Sequence, residues 1–409
     1  MLIADYCRVG NLAGLQTYCR REWVTITQIR TAAALCVACV YGHLEVARWL
    51  QHTFRLTALD ARVGDNHALR WACRNGHLEV ARWLQQTFQL TALDVRAGDN
   101  YALRMACMNG HLKVARWLQQ TFQLTALDAR ANDNYALRLA CDNGHLKVAR
   151  WLQQTFQLDA TDARAQSNFA LRRTCENGHL EVACWLQQTF QLTATDARAM
   201  NNGALIGVCA KGHLEVARWL QQTFQLDAAD VLDNNYGALI WACGNGHLEI
   251  VRWLHQTFQL TTAAVQVNDN IALRSACEYG YLEVARWLQH TFQLTAADAH
   301  AKNGYALYWA CMRRHLEIVY WLQRTWGIPP DMMLRIFAWS PANSACTDYL
   351  RSLRMMTWSP RTHVDFPLDT RRIVFQLLLI RERLAHTSGD MPALPTELWL
   401  HLLSYLPAW

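Results

Sequence analysis

Charge is scarce in this sequence. Of its 409 residues 18% are charged, and the net charge is +6. That balance is too weak to point to nucleic acid as a partner. Long hydrophobic runs are missing too. Ile373 to Ile380 is broken by Gln376 and bounded by arginines, far short of a membrane span. The opening MLIADYCRVG has no basic stretch leading into an apolar one, so no signal peptide is expected. No glycine-rich phosphate loop, Ser-His-Asp order or paired carboxylates stand out. Neither an enzyme nor a cofactor is therefore expected. Proline is rare: the chain has eight, all beyond Gly327. What the chain does have is apolar material, 52% of it, enough to build a packed fold.

Cysteine is abundant, but its spacing excludes a disulfide scaffold. Cys73, Cys107, Cys141, Cys175, Cys209, Cys243, Cys277 and Cys311 recur every 34 residues, and Cys39 extends the series by one. Equivalent positions of stacked repeats lie roughly 8–10 Å apart, beyond the ~7 Å Cα separation that a disulfide spans. Small buried thiols in a reducing compartment are expected, cytoplasm or nucleus. His43 to His247 and His315 follow the same period, so no two converge on one metal ion. Each is expected to bond backbone at its turn.

The period belongs to a phrase that recurs in variants, NGHLEVARWLQQTFQLTALDARAGDNYALRWAC. Its repeats are led by Gly10, Gly42, Gly76, Gly110, Gly144, Gly178, Gly212, Gly246, Gly280 and Arg314. The spacing predicts two helices per repeat. In the first, at 67–73, Ala68, Leu69, Ala72 and Cys73 share a face, and Asp65 or Asn66 would cap it. Asn75-Gly76 ends it. In the second, at 78–88, Leu78, Ala81, Leu84 and Phe88 form the stripe, flanked by Val80 and Trp83. The Glu and Arg of LEVAR read as a solvated face. A repeat this small buries its stripe only by stacking, which makes an all-α solenoid of about ten repeats.

The run AxxNGHLEVARWL resembles the ankyrin repeat, over residues 1–326. Such a resemblance implies a protein-binding array. One departure is clear: the family's Thr-Pro-Leu-His opening becomes Tyr101-Ala102-Leu103-Arg104 here. Another concerns the family's β-hairpin finger. In its register stands Thr125-Ala126-Leu127-Asp128-Ala129-Arg130, which reads as a short helix opened by a threonine cap.

Two positions vary while their neighbours do not. Five before the turn stand Trp71, Met105, Leu139, Arg173, Gly207, Trp241, Ser275 and Trp309. Two before it stand Arg74, Met108, Asp142, Glu176, Ala210, Gly244, Glu278 and Met312. In ankyrin-like arrays that face lines the binding groove. The candidate groove residues are Trp71, Arg74, Tyr101, Arg104, Met105, Tyr135, Arg138, Arg173, Trp241, Tyr305 and Trp309, of the types that dominate interface energies. An acidic protein target would suit the basic N-terminal half of this face, with nucleic acid a distant second. A monomer is expected, with no membrane contact.

Residues 327–390 read as capping helices, one of them long from about Leu368, and HTSGDMPA as a hinge. Residues 391–409 differ from all else. In LPTELWLHLLSYLP, Pro395 suits a first helical position and Glu397 a first turn. This helix resembles the opening of an F-box. The resemblance would place the Skp adaptor of a cullin–RING ubiquitin ligase on Leu394, Pro395, Glu397, Leu398, Leu402, Leu403, Tyr405 and Leu406. The layout is similar to ankyrin arrays with truncated F-box-like ends in large DNA viruses, notably poxviruses, which would put the chain in a host cytoplasm. The competing reading is a pure binding scaffold whose tail seals the solenoid.

Overall fold

The computed structural model describes residues 3–31 and 33–327. The expected capping helices from 328 on and the F-box-like helix lie outside the described residues. Within them every regular element is a helix. The chain divides into two compact bodies. One takes the described residues up to Ala242 with Glu249–Leu260, the other Cys243–Leu248 with the described residues from Thr261 on.

One repeat of the first body shows how the sequence makes the fold. The second helix Leu112–Phe122 ends because Gln123 turns left-handed, with φ 50°. The Leu124 amide then bonds back to the Gln119 carbonyl, and Leu124 itself is buried. This is a helix stop sealed by an apolar contact. Thr125 at once opens a new helix, Ala126–Ala129, with its amide donating to Asp128 Oδ2 at 2.8 Å. The segment is thus helical where ankyrin fingers are stranded, as the threonine and aspartate spacing predicts. The same helix recurs at Ala58–Ala61, Ala160–Ala163 and Ala194–Ala197, and at Ala296–Ala299 in the second body.

Three consecutive left-handed residues follow: Asn132, Asp133 and Asn134, with φ of 56°, 53° and 59°. Asparagine, aspartate and glycine tolerate this conformation best, and the sequence supplies them as GDN, GDN and NDN in successive repeats. The expectation that Asp65 or Asn66 caps the first helix is corrected here. Both adopt the left-handed conformation, and the Asn66 Oδ1 is buried without a donor among the described residues. Their task is to redirect the chain between two helices.

The first helix then packs on its neighbours through Ala68, Leu69, Ala72 and Cys73, none of them accessible to solvent. On the second helix Val80, Ala81, Leu84 and Phe88 are buried, while Leu78 is half-buried. All nine ladder cysteines are buried, and burial pushes the thiols of Cys107 and Cys141 up. The sequence also holds one closely spaced pair, Cys36 and Cys39, on one helix; both are buried and have raised pKa values. No group of three or more metal-holding side chains occurs among the described residues.

Two ladders tie repeat to repeat. The His43 Nε2–H donates to the Arg8 carbonyl at 2.9 Å. The same bond runs from His77 to Val40, from His111 to Arg74 and from His145 to Met108. These rings lie so close to the glycine turns that a Cβ on Gly110 would meet His145 Nδ1 at 2.7 Å. The second ladder joins arginine to aspartate. Arg62 pairs with Asp94, Arg96 with Asp128, Arg130 with Asp162, Arg164 with Asp196 and Arg198 with Asp230. In the second body Gln266 takes the arginine's place on Asp298, at 2.8 Å.

Candidate protein-binding face

The first-helix face begins with the left-handed turn. That turn leaves carbonyls pointing away from any helix partner, and buried carbonyls need donors. Arg138 supplies them: its Nε donates to the Asp133 carbonyl at 2.7 Å and its Nη2 to the Asn132 carbonyl at 3.0 Å. Arg104 does the same for Asp99 and Gly98, at 2.6 and 2.9 Å. Each guanidinium also lies over an aromatic ring of the following repeat. Arg70 is 4.4 Å from the Tyr101 centroid, Arg104 4.6 Å from Tyr135 and Arg138 4.9 Å from Phe169. Such stacking adds attraction that a lysine would match poorly.

The candidate groove residues therefore separate into two groups. Arg104 and Arg138 are 7% and 8% exposed, and Met105 is buried as well. Sequence reasoning placed these three on an open groove; their environment is internal. Tyr101 and Tyr135 are half-buried beneath the arginines. The signal for the two arginines was the GDN or NDN triplet about five residues upstream, which marks a turn with carbonyls to satisfy.

Trp71, Arg74, Arg173 and Trp241 remain reachable on the first body. Arg74 lies 4.2 Å over the Trp71 ring, and its Nη1 reaches the Tyr101 hydroxyl at 3.4 Å. Arg173 is held between two carboxylates, Asp142 at 3.1 Å and Glu176 at 2.7 Å. Next to it Gly207 adds no side chain to the row, and a Cβ there would meet the Glu176 side chain at 3.0 Å. Trp241 is 54% exposed, unusual for so large an apolar ring. In the second body, Tyr305 and Tyr308 flank Trp309 at 5.8 and 5.4 Å, and Arg313 spans Trp309 and Tyr279. The Trp309 Nε1–H is buried with no partner among the described residues.

A constant, internally tethered frame that carries changing side chains along one helix face defines a helical repeat scaffold for protein binding. Residues 171–269 and 205–298 match ankyrin repeats in three copies, and residues 35–85 match ankyrin repeats in many copies. The chain contains ankyrin repeats, built here with a short helix in place of the finger. No curated protein matches it.

Proposed function

We propose that the chain is a protein–protein interaction adaptor whose ankyrin repeats hold a target through the first-helix face. The observation that carries this reading is the contrast along that face. Where the frame positions hold Ala, Leu and Cys in repeat after repeat, the reachable positions hold Trp71, Arg173, Gly207, Trp241 and Trp309. Large aromatic and arginine side chains are the usual anchors of protein interfaces. A monomer in the cytoplasm, a host cytoplasm if the gene is viral, or in the nucleus fits the reading.

The finer part rests on sequence alone. The F-box-like helix around Leu398 and Leu402 would link the held target to a Skp adaptor, and through it to a cullin ubiquitin ligase. The test is an affinity purification of the intact chain beside its Leu398→Asp/Leu402→Asp variant, read for Skp and cullin. Recovery from the wild type and loss from the variant is the expected result. Recovery from neither leaves a binding scaffold and removes the ligase link.

A further inference from the structure

Of the arginines expected to attract an acidic target from the groove, Arg104 and Arg138 are engaged internally. Unpaired positive charge also sits on the second helices Leu112–Phe122 and Leu146–Phe156. Lys113 and Arg116 are exposed on one, Lys147 and Arg150 on the other, and none of the four has an ion-pair partner among the described residues. Neither helix carries an acidic residue. Equivalent helices elsewhere are neutralised: Glu45 pairs with Arg48 at 3.2 Å and Glu79 with Arg82 at 3.7 Å. Glutamate also stands at 181, 215, 249, 283 and 317, so lysine replaces it in two consecutive repeats. Both lysines sit in a helix's first turn, where the backbone dipole disfavours positive charge, and each faces an arginine of like charge one turn on. The exchange works against stability twice over in each helix, yet it is present in both.

Second helices of neighbouring repeats pack against one another at Leu44–Phe54 with Leu78–Phe88, Leu146–Phe156 with Leu180–Phe190 and Leu180–Phe190 with Leu214–Phe224, and Leu112–Phe122 precedes Leu146–Phe156 by the same 34-residue period. Two such helices stand about 10 Å apart, and cations three residues apart on one helix about 5–6 Å. The four charges therefore form one compact patch. No large exposed apolar side chain lies on either helix, and Trp117 and Trp151 are buried. A membrane would find nothing to insert, and a nucleic acid no ring on which to stack.

We infer that Lys113, Arg116, Lys147 and Arg150 form a docking site for an acidic segment of a protein partner, separate from the first-helix face. The test uses the full chain and a fluorescein-labelled oligoglutamate peptide, followed by anisotropy at low and moderate salt. Wild type should bind in a salt-dependent way. Lys113→Glu/Lys147→Glu should weaken binding at least about tenfold, and Lys211→Glu should leave it unchanged. The double variant restores the residue that seven other repeats carry, so it will fold, and a thermal melt checks this. Equal binding by wild type and double variant, no binding by wild type, or an equal loss in Lys211→Glu would overturn the inference. So would tighter binding to oligothymidylate or to vesicles of phosphatidylcholine with phosphatidylserine.

Discussion

Arg62 and Asp94 stand 32 residues apart and meet through two parallel hydrogen bonds, Nε to Oδ1 at 2.7 Å and Nη2 to Oδ2 at 3.0 Å. The same Oδ2 accepts the Thr91 amide at 2.8 Å. One carboxylate thus opens its own short helix and tethers the repeat before it. Because the contact recurs down the first body, local folding of each short helix and stacking of the repeats are a single event. That is the coupling a solenoid needs, since each repeat depends on its neighbours.

Asp128→Ala should therefore lose a helix cap and leave Arg96 without its partner. The expected cost is about 2–3 kcal/mol in urea denaturation, below that of a fully buried pair because Arg96 is partly solvated. Removing both partners should be milder than the sum. The chain contains the precedent, with Leu232 and Ala264 in register with the arginine and aspartate series. Arg96→Leu/Asp128→Ala should fall short of additivity by about 1 kcal/mol.

Stability should fall on acidification in two stages. The bond from Arg62 holds the Asp94 carboxyl at about 2, well below its ordinary value, with the Thr91 bonds adding to the effect. At Asp128, Asp162 and Asp196 burial alone would raise the carboxyl, and the arginine and capping bonds outweigh it. A depressed carboxylate stabilises fully above its unfolded pKa of about 3.9 and loses that contribution as pH falls toward 2. Asp94 contributes about 1–2 kcal/mol in this way after allowance for screening. Burial pushes His77, His111 and His145 down, so the unfolded chain takes up protons first as pH drops below about 6.5. A shallow loss of melting temperature below that pH, followed by a steep one below about 4, is expected. A flat profile from neutrality to pH 3 would contradict the ladder's role.

Gly110→Ala tests the close approach of turn and ring. Its φ is +75°, and the new Cβ would press on His145. A loss of about 1–3 kcal/mol is expected. Adding His145→Ala should relieve the collision but not the backbone strain, so the double variant should recover only part of what the glycine change loses relative to His145→Ala alone.

Lys113→Glu should stabilise the chain, by about 0.5–1 kcal/mol at low salt. The gain should shrink as salt is added, because it comes from exposed charge. Destabilisation would mean that Lys113 has a structural task.

Much of this design was legible in advance. The two helix stripes, the glycine stop and the threonine that opens a helix in place of the finger all follow from local spacing, since each is decided within a few residues. The contacts between repeats were not. In a nearly perfect repetition every position recurs, so recurrence does not tell Arg96, which reaches the next repeat, from Arg116, which reaches solvent. Arg104 and Arg138 looked like groove residues for the same reason. Only the left-handed turn before each, Gly98-Asp99-Asn100 for Arg104 and Asn132-Asp133-Asn134 for Arg138, with carbonyls that demand a donor, gives them an internal place.

The measurement closest to the binding function compares partners captured by the full chain and by Trp71→Ala/Trp241→Ala, quantified by mass spectrometry with thermal melts as the folding control. Wild type should hold a discrete set of proteins that the tryptophan variant loses while its melt shifts little. If that set survives the tryptophan changes but is lost on altering the exposed second-helix residues Glu79 and Glu215, the first-helix face is not where the target binds.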